Sequence, residues 1–118
     1  MEEVKKIYRL LVFVCSPFSG GVFQNIEQAK TYSRFAVDKT AIPLTPHLLN
    51  PQFMDDNNID ERELAMHFNY AWLGKSQEVW EFGGVVSKGR TREIGIAEKR
   101  RMKIRWFTWD LKEAGEYA

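Results

Sequence analysis

The chain has 118 residues, of which 44% are hydrophobic and 28% charged, and its formal net charge is +1. This length and composition predict one globular domain and exclude a disordered, collagen-like or disulfide-rich protein. No apolar run approaches the roughly 18 residues of a membrane-spanning helix, so we expect a cytoplasmic protein with no membrane partner. The single cysteine, Cys15, can form neither an internal disulfide nor a zinc site by itself, and no metal or cofactor is expected.

Charges are unevenly distributed along the chain. Residues 88–105 hold eight basic side chains against two acidic ones, whereas five acidic residues cluster between positions 55 and 63. Two interpretations stay open: the segments form solvated helix faces of opposite charge, or the basic segment attracts a phosphate or nucleotide. A long nucleic acid is not expected as a partner, because no aromatic residue interrupts the basic segment before Trp106.

The first half of the chain predicts a buried strand, a helix and a short strand. Residues 7–15 (IYRLLVFVC) are nearly all apolar, which is typical of a strand buried on both faces. Residues 25–39 place apolar side chains at helical spacing, with Asn25 near the N-cap. Residues 42–45 predict a second strand, and the prolines at 43 and 46 favour a sheet edge.

The second half continues the alternation. After a polar loop over residues 46–58, helical spacing begins at Asp60 and ends at Gly74. Residues 78–82 (EVWEF) predict a third strand, residues 91–101 a third helix, and residues 103–107 (KIRWF) a fourth strand. This order predicts an α/β fold with an open parallel sheet and helices on both faces. We expect one domain over residues 1–118, with a core over about 7–107 and a tail at 108–118.

Sheets of this kind bind ligands at the carboxyl ends of their strands. The candidate site therefore consists of the loops over residues 16–21, 46–52 and 83–92. The first loop (SPFSGG) is either an ordinary turn or a site for an anion or sugar hydroxyl, since it brings hydroxyls and glycines to a helix start. In the second loop, His47 comes just after a predicted strand. It is either a structural residue or a ligand contact.

The third loop leads into a helix whose predicted first turn contains Glu93. One interpretation is that Glu93 is simply a favourable partner for the helix dipole. The other is a nucleophile, because a glutamate beside a bound sugar can attack the anomeric carbon and form a glycosyl ester. A second group must then protonate the leaving base, and by loop position the candidates are Asp55, Asp56 and His47.

Four motifs in this order, FVCSPFSG, PHLLNPQF, EVWEFGG and SKGRTREIGIA, resemble the nucleoside 2-deoxyribosyltransferase-like superfamily over residues 11–107. The resemblance is greatest to a small branch frequent in phage and bacterial genomes. It implies a flavodoxin-like or Rossmann-like three-layer sandwich with a four- or five-stranded parallel sheet. It also implies cleavage or transfer of the N-glycosidic bond of a nucleoside or nucleotide, usually by a homodimer or higher oligomer.

The resemblance further implies roles for individual residues. The GxxxE(L/I)GxA pattern of active transferases places the nucleophile at Glu93. In that family the first loop borders the nucleoside, and the PH motif lies at the same cleft. Ligand contacts are thus implied in the first loop, the first helix and the second loop, at Ser16, Phe18, Ser19, Asn25 and His47.

Two carboxylates of the active transferases have no counterpart in this chain. Asn69 lies in the stretch where they carry an Asp, and Ser87 stands where another Asp precedes the nucleophile by six residues. Asn69 and Ser87 can hydrogen-bond a base or ribose but cannot deliver a proton at neutral pH. Ser87, together with Gly89 and Arg90, would suit a phosphate or sugar. Two functions stay open: N-glycosidic bond cleavage or 2-deoxyribosyl transfer by Glu93, and a non-catalytic module that binds or senses a nucleotide.

Overall fold

The computed structural model describes residues 8–16, 22–83 and 88–114, and within them strands and helices alternate. The strands are β1 (Leu11–Cys15), β2 (Ile42–Leu44), β3 (Glu78–Phe82), β4 (Lys103–Phe107) and β5 (Glu113–Ala114). The helices are α1 (Val22–Asp38), α2 (Pro46–Leu49), α3 (Ile59–Lys75) and α4 (Lys88–Lys99), and a 3-10 turn at Asn50–Gln52 follows α2. None of the helices in these ranges has both the length and the apolar character needed to cross a membrane.

The strands form one sheet in the order β2-β1-β3-β4-β5. The first four strands are parallel, and the prediction that β2 lies at the sheet edge is confirmed. β5 is antiparallel to β4, so the expectation of a wholly parallel sheet is wrong for this strand. Residues 108–112 connect the two, and the Thr108 N–H donates to the Lys112 carbonyl over 2.8 Å. A connection this short can close a hairpin but cannot make a parallel crossover.

Helices cover both faces of the sheet, which confirms the predicted three layers. Successive residues of a strand point to opposite faces, and β1 and β3 accordingly contribute to two separate hydrophobic cores. The core beside α1 contains Val12, Val14, Tyr32, Ala36, Ala41, Trp80, Phe82 and Phe107. The core beside α3 and α4 contains Phe13, Cys15, Leu73, Val79 and Ala97.

Two helices begin earlier than predicted. α1 begins at Val22, so Asn25 lies inside the helix and is not its N-cap. α4 begins at Lys88, which moves Glu93 from the predicted first turn to the second. α1 buries Ala29, Tyr32 and Ala36, whereas Val37 is exposed.

The segment predicted as a loop over residues 46–58 contains α2 and the 3-10 turn. Pro46 stands in the first turn of α2, where its fixed φ angle suits a helix start and its missing N–H costs nothing. At the other end of the segment, Asn58 caps α3, because its side chain accepts hydrogen bonds from the backbone N–H groups of Asp60 and Glu61. The turn after β2 is therefore ordered, and it carries His47 and Asn50.

Candidate active site

The direction in which strands are added reverses at β1. The chain passes from β1 to β2 on one side and then to β3 on the other. A crevice forms at such a switch point beyond the carboxyl ends of the strands, and open α/β sheets bind their ligands there. Buried polar side chains collect at the same edge: Ser16 follows β1, Thr45 follows β2, and Glu81 is the penultimate residue of β3.

Glu93 reaches this edge from α4. Its side chain is buried, with 7% exposure, and its Oε1 accepts a hydrogen bond from the Cys15 thiol across 3.6 Å. Cys15 is the last residue of β1 and is itself 4% exposed. The described part of α4 has no acidic residue in its first turn. Because the helix-dipole effect falls off within the first turn, the dipole does not account for a buried carboxylate in the second.

Glu81 is a second buried acidic residue at the switch point, and sequence reasoning missed it. It pairs with Cys15 in the register between β1 and β3, and its side chain is 0% exposed. Residues paired in neighbouring strands point to the same face, so Glu81 and Cys15 share the α3/α4 face. A glutamate within a strand of a sheet predicted to have helices on both faces was the available signal, because buried charge is retained only where it is compensated or used.

Ser16, a predicted ligand contact, is also buried at this edge. Its exposure is 1%, and its Oγ has no hydrogen-bond partner among the described residues. A buried hydroxyl without a partner in the protein is uncommon. Ser16 directly follows Cys15 in the chain, and Cys15 is the residue that donates to Glu93.

An open cleft of about 410 Å³ lies between the start of α1, the turn after β2 and the first half of α3. It brings together three predicted ligand contacts from distant parts of the sequence: Asn25, His47 and Asn69. Apolar walls and a few convergent polar groups are typical of small-molecule sites. The apolar contributors include Ile26, Pro46, Met54 and Met66.

The proton-donor candidates Asp55 and Asp56 line the same cleft as His47. Glu93 is not among the described residues that line it. Across the cleft wall, Asn50 Nδ2 donates to Asn69 Oδ1 over 2.9 Å. The structure thus gathers the predicted residues into two groups at one sheet edge: a buried thiol and carboxylate group, and an open cleft lined by amides.

Three predicted contacts, Phe18, Ser19 and Ser87, lie outside the described residues. Gly89 and Arg90 fall in the first turn of α4, where the backbone is described. In the portions of the chain that are described, no group of three or more His, Cys, Asp or Glu side chains is placed to hold a metal ion.

Arg105, from the basic segment, has a structural partner away from the candidate site. Its Nε and Nη2 donate to both carboxylate oxygens of Glu113 at 2.8 and 2.7 Å, and its guanidinium lies 4.8 Å from the Trp80 ring centroid. The hydrogen bond from Arg105 lowers the pKa of Glu113, and the same bond raises the pKa of Arg105. This pair joins β4 to β5, so the charge of Arg105 is engaged there rather than at the strand ends of the switch point.

Comparison with known proteins supports the same architecture. No curated protein sequence matches this chain. A solved structure of the 2-deoxyribosyltransferase from the psychrotolerant bacterium Bacillus psychrosaccharolyticus is similar, with a TM-score of 0.66 and 11% sequence identity. The match covers 82% of this chain and 71% of the transferase, and it confirms the predicted flavodoxin-like fold. The model of a family described as a domain of unknown function, DUF7768, matches residues 10–107, and the chain therefore belongs to that family.

Proposed function

We propose that this protein cleaves or transfers the N-glycosidic bond of a nucleoside or nucleotide, with Glu93 as the nucleophile. The observation that carries the proposal is the buried Glu93 carboxylate at the switch point, hydrogen-bonded by Cys15. Burying a carboxylate costs several kcal/mol even after the protein relaxes, and active sites are where such burial is put to use. A use in chemistry is the explanation that the position favours, and the fold shared with a 2-deoxyribosyltransferase supports the choice of reaction.

In the proposed reaction, a carboxylate oxygen of Glu93 attacks the anomeric carbon of the sugar. The bond between that carbon and the base nitrogen breaks, its electron pair leaves with the base, and a glycosyl ester forms on Glu93. Water or a second base then attacks the same carbon and releases the carboxylate. Water gives hydrolysis and a second base gives transfer, so the two outcomes share the first step.

The departing base needs a proton, and the cleft contains groups that can supply one. His47, Asp55 and Asp56 all line it. A positioned acid of this kind typically contributes about 10²–10⁴-fold to a rate. The cleft would thus receive the base while the sugar lies at the strand ends near Glu93.

A second function, a non-catalytic module that binds or senses a nucleotide, is favoured by one observation. Asn69 lies where the resemblance implies an Asp, and its amide is already hydrogen-bonded to Asn50. An amide can orient a base but cannot protonate it. In this alternative the cleft and the buried Glu93 recognise the ligand without turnover.

The experiment that separates the two functions is a thermal-shift screen against nucleosides, 2′-deoxynucleosides and their 5′-phosphates, with free base measured in the same wells by chromatography. A ligand at 100 times its Kd stabilises the folded state by roughly 2.7 kcal/mol, which a melting curve resolves. Stabilisation with base release supports the enzyme, and stabilisation without release supports the binding module. A screen in which no compound stabilises the protein or releases base would overturn both.

A further inference from the structure

We infer that Cys15 is a positioning residue for Glu93: its thiol holds Oε1 and thereby fixes the orientation of the carboxylate that attacks. The inference rests on the proposed function, and its structural basis is the contact of 3.6 Å between Cys15 Sγ and Glu93 Oε1. Both side chains are more than nine-tenths buried. A carboxylate with one oxygen held by a fixed donor keeps one rotamer, and catalytic groups need such support to stay in productive geometry.

The fold fixes the thiol in place. Cys15 is the last residue of β1 and is paired with β3 through Glu81. Its side chain packs in the core that includes Ala97. Ala97 lies four residues after Glu93 on α4, and residues at this spacing share one helix face. The face of α4 that carries Glu93 is therefore packed against the end of β1.

Glu81 makes the arrangement more specific. It lies beside Cys15 on the same sheet face, so acidic side chains from β3 and α4 both approach this end of β1. A thiol has one proton to donate, and the observed geometry directs it to Glu93.

Because the chain contains one cysteine, the contact can be tested without any activity. The S–H stretching band in the infrared spectrum then reports on Cys15 alone, and Cys15→Ala assigns the band by removing it. We expect the band to shift to higher frequency in Glu93→Ala, where the acceptor is lost, and to stay in place in Val79→Ala, a matched change in the same core. An unshifted band in Glu93→Ala would overturn the inference.

The role in the reaction is tested by the split between kcat and KM, with 2′-deoxyadenosine and its 5′-phosphate as probes. We expect Cys15→Ala to lower kcat by about tenfold with KM unchanged, because misplacing a reacting group slows only the chemical step. Cys15→Ser keeps a donor and should recover most of the loss. Val79→Ala should lower stability but not kcat at a temperature well below its Tm.

The outcomes separate this inference from the proposed function. Equal kcat values for Cys15→Ala and wild type, or no recovery in Cys15→Ser, would overturn the positioning role while the enzyme proposal stands. If the wild-type protein releases no base from any compound of the screen, the proposed function fails. The shift of the S–H band in Glu93→Ala then decides by itself whether Cys15 holds the carboxylate.

Discussion

Asn50 donates from Nδ2 to Oδ1 of Asn69 over 2.9 Å, and this bond ties the turn after β2 to the middle of α3. Both residues line the open cleft. Since the Asn69 oxygen is engaged, its Nδ2 is the group left to donate to a ligand. The cleft therefore presents an amide where the resemblance implies a carboxylate.

Replacing this amide tests whether the chemistry lacks a proton donor. Asn69→Asp keeps an acceptor for Asn50 and adds a group that can carry a proton. We expect faster base release, by about 10²-fold, which is the lower end of what general acid catalysis contributes in typical enzymes. Asn69→Ala is the control: it breaks the bond to Asn50 and should weaken binding without faster release. An Asp variant no faster than wild type would show that the leaving base is protonated elsewhere.

Gly83 ends β3 in a conformation that favours glycine. Its φ is 77°, it is buried, and its N–H donates to the Phe107 carbonyl over 3.0 Å. Gly83→Ala should lower the free energy of unfolding by about 1–2 kcal/mol, the cost of a left-handed conformation for a residue with a Cβ. Urea unfolding measures the change, and an unaltered midpoint would contradict the strained geometry.

Gly95 lies inside α4 and gives the opposite expectation. Apart from its chain neighbours and the backbone of its own helix, a Cβ built there meets no heavy atom of the described residues within 4 Å. Gly95→Ala should therefore raise the free energy of unfolding by up to about 1 kcal/mol, the difference in helix propensity between the two residues. A lower urea midpoint than wild type would mean that α4 does not have its described surroundings.

The ion pair between Arg105 and Glu113 makes the free energy of unfolding depend on pH. The hydrogen bond from Arg105 lowers the pKa of Glu113 in the folded state. Because the pKa is lowered in the folded state, the ion pair contributes its full stabilisation above the ordinary glutamate pKa. This contribution is lost as the pH falls through the lowered value. Glu113 is half exposed, so the contribution is below about 1 kcal/mol.

We accordingly expect Glu113→Gln to lower the urea midpoint at about pH 7 and to have a smaller effect in acid, once the pH has fallen through the lowered pKa and wild-type Glu113 is protonated as well. The measurement is the difference between the two unfolding curves at each pH. A difference of the same size at both would show that the ion pair contributes nothing and that the substitution acts through packing.

Most of the sheet could be predicted from local pattern. β3 and β4 have the predicted bounds because each is a short segment rich in β-branched and aromatic residues, and polar or turn residues follow its end. α2 was missed because four residues show no helical period, although a proline directly after Thr45 is a usable start signal. β5 was missed because its two residues are held by pairing with β4, not by their own sequence.

For the candidate site, motifs indicated single residues but not their contacts. Glu93, His47 and Asn69 follow from spacing and resemblance. The bond between Cys15 and Glu93 joins residues 78 positions apart, and it depends on how α4 packs against the sheet. Glu81 is also recognisable only after the register with β1 is known, because one strand residue earlier or later points to the opposite face.

In the proposed function Glu93 carries the chemistry, and the most direct test of this role is the rate of base release by wild type and Glu93→Gln. The glutamine amide has nearly the shape of the carboxylate, so ligand-induced stabilisation should persist. It is, however, a far poorer nucleophile than the carboxylate. We predict that base release falls by at least about a thousandfold. Base release by Glu93→Gln at the wild-type rate would contradict the role of Glu93 and place the nucleophile elsewhere.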